Sequence, residues 1–351
     1  MDILKNLSVY KIYMKKKYVK NWEKQLTNKE LEKAINDSKL IRGLYVQRYG
    51  APKKKYTKEY DQKLRTLMKV VLKRINDDVV SAYEKIKIQN KTGRPKKDRK
   101  QLARLFLLQN YFNMSNRDME AFAELFVFTG CETYSYKTIE RAYEDPVVQQ
   151  ILHNIYIMSC GIEREVDCSA DGTGQSLVIF KHYRTDRLKD LINKEETYKR
   201  KEYVYSVAVV DIKTNIYVGY AAGFMSEKKL FRDAVSMVRE NGFKIKSIVL
   251  DKYYSHQNIF RYFDKDTKVI TLPKSNATIR GGSQWKEMIK HFIRYPFGFL
   301  KRYFKREISE ANFSRDKRKH GVIKQKIKYR IITTCWARAV LHNMSMDYLY
   351  S

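Results

Sequence analysis

The chain has 351 residues, with 71 Lys and Arg against 39 Asp and Glu, a net charge of +32. That length is enough for two or three domains with a real core, and that charge calls for a polyanionic partner, nucleic acid first among them. No apolar run approaches the length of a membrane span and the start, Met1-Asp2-Ile3-Leu4-Lys5, has no secretory apolar stretch, so no membrane partner and a cytoplasmic, nucleoid-associated location are expected.

Residues 1–90 read as a basic, mostly helical N-terminal region, for example from Lys63 to Ile86. The first hundred residues hold 29 Lys and Arg against 11 Asp and Glu. A break follows at Gly93-Arg94-Pro95, which reads either as a charged linker or as an extended cationic segment with Arg94 in a DNA minor groove. Residues 91–160 then read as a helix-turn-helix-like DNA-binding region. Leu102–Phe112 is apolar on one face, Ser115 caps a second helix reaching about Phe126, and Ser135 caps a third. If that third helix reads DNA, Tyr136, Lys137, Thr138 and Arg141 are its contacts; an ordinary small bundle is the alternative. Cys131, Cys160, Cys168 and Cys335 form no C-x-x-C pair, which argues against structural zinc and fits a reducing compartment.

From about residue 161 the periodicity changes. A strand runs into Asp171-Gly172-Thr173-Gly174, read as a tight glycine turn. Lys201–Asp211 and Asn215–Gly223 form a hairpin. Glu227–Asn241 is helical with Gly242 as its stop. Ile245–Leu250 is a strand ending at Asp251. A short helix spans Ser255–Phe263, a strand Thr267–Leu272, a loop Pro273–Gly282, and helices fill the remainder. This order is a mixed sheet flanked by helices, an α/β catalytic domain over 161–351 preceded by an all-α basic region.

Two aspartates, Asp171 and Asp251, each close a predicted strand. Near the C-terminus Tyr303, Arg306, Glu310 and Lys317 follow the spacing Y-x-x-R-x-x-x-E-x-x-x-x-x-x-K. On one continuous α-helix they fall within an arc of about 60°. Three carboxylates, Asp171, Asp251 and Glu310, suit hard divalent ions beside a phosphodiester, with cations to grip the phosphates. Asp167 and Glu307 are close competitors. Asp167 shares a strand face with Asp171, and Glu307 lies one helical turn before Glu310. Lys274, Asn276 and Arg280 in the following loop are candidate DNA contacts, with a solvated loop as the alternative.

These blocks resemble the DDE transposases of prokaryotic insertion sequences with the Y-R-E-K signature, whose catalytic domain is ribonuclease H-like. Asp171-Gly172-Thr173-Gly174 is similar to the first-aspartate block. Ile248 to Tyr254 is similar to the second, although Tyr253 stands where the family often has Gly. The signature matches at every spacing, and the resemblance covers roughly residues 93–345. It implies that Asp171, Asp251 and Glu310 bind two Mg²⁺ ions, with Mn²⁺ able to substitute, and that Tyr303, Arg306 and Lys317 hold phosphates. It also implies a base flipped near the cut; Trp285 is the candidate to stack on it, or else it anchors a helix in the core.

The expected activity is binding of terminal inverted repeats in double-stranded DNA, metal-dependent cleavage, and strand transfer to target DNA by a homodimer. The alternatives are a structure-specific nuclease or resolvase on the same fold, and an inactive DNA-binding descendant of a transposase.

Overall fold

The computed structural model describes residues 27–49, 58–87, 97–126, 134–161, 165–182 and 199–350. In chain order the helices are α1 (Asn28–Tyr49), α2 (Lys58–Glu84), α3 (Arg99–Tyr111), α4 (Asn116–Phe126), α5 (Tyr136–Arg141) and α6 (Pro146–Ser159). The strands β1 (Glu165–His182), β2 (Lys199–Asp211) and β3 (Tyr217–Gly223) follow, then α7 (Glu227–Glu240), β4 (Lys244–Leu250) and β5 (Lys268–Ile270). Helices α8 (Ser283–Arg294), α9 (Pro296–Tyr303), α10 (Glu307–His320) and α11 (Lys328–Tyr350) complete the chain. The chain divides into two compact units, the smaller of Met1–Lys54 and Val249–Lys305, the larger of Lys55–Ile248 and Arg306–Ser351. These units cut across the boundaries at 90 and 160 drawn from composition.

In the larger unit, α2 buries Val71, Ile75, Val79 and Ala82 at helical spacing. Helix α3 is buried along most of its length, from Leu102 to Asn110, and is therefore a core helix. The expected caps hold. Ser115 and Asp118 form a reciprocal box at the start of α4, at 3.2 and 3.1 Å. Ser135 Oγ accepts from the Thr138 amide at 3.4 Å to open α5. Helix α6 is an element the sequence reading passed over, although Asp145 as N-cap and Pro146 at the first position announce it.

The larger unit's strands lie in the order β3-β2-β1-β4, in a mixed sheet. β1 and β2 pair antiparallel, as do β2 and β3, with Asp171 opposite Ala208 and Ala208 opposite Tyr220. Paired residues share a face and neighbours alternate, so Ser169, Asp171, Thr173 and Gln175 look one way and Gly172 the other. On the Gly172 side lies α7. On the Asp171 side lie α10 and α11, through contacts given below. Helix α7 stops at Gly242, whose φ of +78° an L side chain would resist.

The smaller unit begins with α1 and resumes at the last residues of β4, which has β5 as its other neighbour. Its core is built on the apolar face of α8, where Trp285, Met288, Ile289, Phe292 and Ile293 are buried.

The structure corrects two sequence readings. Asp171 lies inside β1 and not at its end, because Gly172 and Gly174 continue the extended strand. The four signature residues do not share one helix. Tyr303 closes α9, a 3₁₀ turn covers Phe304–Arg306, and only Glu310 and Lys317 stand on α10.

Candidate active site

The larger unit builds its polar seam from hydroxyls. Ser309 on α10 donates to Ser169 Oγ at 2.7 Å, and Ser169 in turn donates to the carbonyl of Arg306 at 3.4 Å. Further along, Lys317 Nζ donates to Thr173 Oγ1 at 2.5 Å. Four strand residues from Ser169 to Thr173 span about 13 Å. Eight helical residues from Ser309 to Lys317 rise about 12 Å. The two intervals match, so α10 runs alongside β1 with Asp171 at the midpoint of the seam. Glu310 is next to Ser309 and half-exposed, with its Oε1 held by Arg306 Nη1. Asp171 is half-buried, and its Oδ1 accepts from the Gly172 amide at 2.9 Å. A cavity of about 190 Å³ leads off from Thr173 and Lys317 toward Tyr217, Tyr220 and Arg338.

Asp167 shares the face of Asp171 but is already engaged, since Ser247 on β4 donates to its Oδ1 at 2.5 Å. Gly172 explains the motif after Asp171. A β-carbon placed there would lie 2.6 Å from Cδ of Glu227. The glycine admits the Glu227 carboxylate against the back of the strand; it does not make a turn.

The other side of α10 is locked into the core. Asp316 Oδ1 lies 2.8 Å from His342 Nδ1 on α11, and the Tyr217 hydroxyl donates to Asp316 Oδ2 at 2.7 Å. The imidazole stacks on Tyr217 at 3.7 Å between ring centres, and its Nε2 lies 3.0 Å from the Asn215 carbonyl. Burial pushes the Asp316 carboxyl up, but His342 alongside and the Tyr217 hydroxyl outweigh this and leave it below its ordinary value. Asn343 brackets Tyr217, accepting from its amide at 2.8 Å and donating to its carbonyl at 3.0 Å.

Within the smaller unit, Asp251 follows β4 directly, as expected. Its Oδ1 accepts from the Tyr253 amide at 2.8 Å and its carbonyl from Thr271 Oγ1 at 3.1 Å. Tyr253 is exposed, and Lys274 donates to its carbonyl at 3.1 Å. Asn276 and Arg280 are exposed. Tyr303 is buried, with its ring against Phe304. Trp285 is buried, edge-on to Phe260, and its indole N–H donates to the Thr278 carbonyl at 2.8 Å. It therefore has the anchoring place in this structure and offers no open face to a base. In the helical part of the larger unit, Lys137 and Arg141 are exposed, and Tyr136 lies under the guanidinium of Arg117 at 5.4 Å. Arg94 lies outside the described residues.

Residues 52–125 match a family described as a transposase domain (DUF772). Over 295 residues the chain is 39% identical to a probable transposase for insertion sequence element ISA1214 of Archaeoglobus fulgidus, covering 83% of this chain and 88% of that protein. The chain belongs to the insertion-sequence transposases. For a transposase, DNA accounts for the net charge of +32. Among the described residues no helix is long and apolar enough to cross a membrane.

Sequence reasoning missed the residues that seat the transposase's α10. Ser169 and Thr173 were legible as same-face neighbours of Asp171 by alternation, and Ser309 as the neighbour of Glu310. Asp316, His342 and Tyr217 carry no sequence signal, because nothing local links positions so far apart in the chain. The donor chemistry of the seam fits a hard divalent ion, since Asp171 and Glu310 offer carboxylate oxygens. The nearby thiols are poor ligands. Cys168 and Cys335 are buried, which pushes both thiols up, Cys335 to about 12. Among the described residues no three His, Cys, Asp or Glu side chains converge on one point.

Proposed function

We propose that this transposase is a DDE enzyme of the Y-R-E-K type on a ribonuclease H-like catalytic domain. Asp171, Asp251 and Glu310 together hold two Mg²⁺ ions. The observation that supports the reading is the hydroxyl seam, in which Ser309, the neighbour of Glu310, bonds Ser169 and Lys317 bonds Thr173, two residues to either side of Asp171 on its strand face. When bound, the ions supply an activated oxygen nucleophile and stabilise the leaving oxygen. The protein does the rest through charge and position. Lys317, oriented by Thr173, and Arg306, whose backbone is tied to Ser169, offer cations to the phosphates of an element end. The buried Asp316–His342 pair keeps α10 from sliding along β1. The DNA is the element's terminal inverted repeats and a target duplex, handled by a homodimer.

The test is Mg²⁺-dependent cleavage and strand transfer on DNA spanning the gene's own flanks, with wild type beside Asp171→Ala and Glu310→Gln. Defined ends from wild type and none from either variant are expected. Cutting that survives Glu310→Gln would remove Glu310 from the site. Sequence-indifferent cutting of branched DNA without joining would point instead to a nuclease.

A further inference from the structure

The Glu310 carboxylate has a guanidinium partner on its own chain segment. Arg306 closes the 3₁₀ turn at the start of α10, and its carbonyl is pinned by Ser169 at 3.4 Å. Its side chain is only 16% exposed, while that of Glu310 is 49% exposed, and the two form an ion pair through Nη1 and Oε1. The guanidinium is thus the more fixed member, held over a carboxylate that solvent still reaches. A divalent ion and a guanidinium cannot share that carboxylate without cost, because both draw on one negative charge and the two cations repel.

The cavity beside Thr173 belongs to the site already described. A cleft in the smaller unit between β5 and α8 mixes Lys265, Lys268 and Arg302 with Asp266 and Glu287, so its charges select no ligand sign. The Arg306–Glu310 pair has a definite chemical consequence. We infer that Arg306 is a latch on Glu310 that a DNA phosphate opens, so that metal loading is coupled to engagement of the element end. This rests on the proposed metal-binding role of Glu310.

The physical steps are few. In the DNA-free protein Arg306 neutralises Glu310 and weakens its affinity for a divalent ion. A phosphodiester offers the planar guanidinium a bidentate acceptor of the same charge as the carboxylate. Arg306 transfers to it without leaving a buried charge unpaired, and the Glu310 oxygens become available. Linkage makes the effect reciprocal: metal must strengthen the hold on the phosphate by the same factor that phosphate strengthens the hold on metal. The consequence is that the enzyme away from DNA rests without a complete metal site, and the site completes as a phosphate takes Arg306.

The experiment measures Mn²⁺ affinity of the full chain from the free-ion EPR signal, which reads binding and not turnover. Wild type, Arg306→Gln and Glu310→Gln are compared without DNA, each with a thermal melt to confirm folding. Arg306→Gln is expected to bind Mn²⁺ roughly fivefold or more tightly than wild type, within the usual span of coupled sites. Glu310→Gln is expected to bind more weakly. Addition of a duplex ending in the element's terminal repeat, corrected for Mn²⁺ bound by the duplex alone, is expected to raise the wild-type affinity and leave Arg306→Gln unchanged. Equal Mn²⁺ affinity in wild type and Arg306→Gln without DNA overturns the latch. A Glu310→Gln variant with unaltered Mn²⁺ binding overturns both the latch and the metal assignment beneath it, which separates the two failures.

Discussion

Helix α10 carries charge in two settings. Toward β1, Glu310 is half-exposed beside Arg306, and the contacts that seat the helix are single hydroxyl bonds. Toward α11, Asp316 is tied to His342 and Tyr217 and closed over by stacked rings. The Arg306–Glu310 pair is the cheaper to break because solvent reaches its half-exposed carboxylate and other ions can replace that partner. The Asp316 side is more expensive to break because the buried Tyr217 hydroxyl and His342 imidazole would lose their partner. One helix can therefore be rigid in position and labile in chemistry, which is what the proposed exchange of metals and phosphates at Glu310 requires.

The largest contrast comes from removing one charge on each side. Glu310→Gln should cut strand cleavage by roughly a thousandfold or more, in line with loss of a group that acts as part of a catalytic set. Its thermal stability should barely move, since an exposed ion pair is worth about 0–1 kcal/mol. Asp316→Asn should do the reverse in order of damage, costing about 1–3 kcal/mol of stability by leaving the buried Tyr217 hydroxyl without its acceptor and losing activity only in proportion to unfolding. Urea melts alongside the cleavage assay decide it. Equal stability losses in the two variants would erase the distinction between the two sides.

Acid should find the buried side first. His320, at the C-terminal end of α10, is held down to about 3 by burial, with Arg338 and Lys319 adding to the effect. A histidine depressed in the folded state binds its proton more readily unfolded, so stability is whole above about pH 6.5 and falls as pH drops toward 3. Asp316, also depressed, adds loss as pH falls below its ordinary carboxylate value. His320→Leu should flatten the slope below pH 6.5, measured as Tm against pH. An unchanged slope would place the acid sensitivity elsewhere.

The glycine behind Asp171 shows why part of the site was readable and part was not. The order of elements, the stop at Gly242, the caps at Ser115 and Ser135, and the placing of Asp251 after its strand all follow from local rules of turn and period. Gly172 was misread, because a glycine admitting a distant carboxylate has the same sequence as a glycine making a turn. The helix break at 304–306 was hidden for a similar reason. Phe304, Lys305 and Arg306 have no local breaker, and the interruption coincides with the tertiary bond from Ser169 to the Arg306 carbonyl. The close approach makes its own prediction. Gly172→Ala should cost at most about 1 kcal/mol, because the clash is with the flexible end of Glu227, and Glu227→Ala in the same chain should return most of it. A loss that the second substitution does not relieve would mean the clash lies elsewhere.

The smallest effect tests whether the hydroxyl seam orients or merely fills space. Thr173→Val keeps the shape and removes the acceptor for Lys317 Nζ. One such bond is worth about 1 kcal/mol, too little to unfold the protein. If the bond only packs α10, stability should fall slightly and DNA binding should stay as it was. If it aims Lys317 at a phosphate, affinity for a terminal-repeat duplex should drop several-fold while the rate of cutting at saturating DNA holds. The ammonium remains charged in either case, so the salt dependence of binding, which counts cations and not their aim, should keep its slope. A weakened affinity with an unchanged slope is the signature of a cation that is present but misdirected, and that pairing would assign Thr173 to the orientation of Lys317.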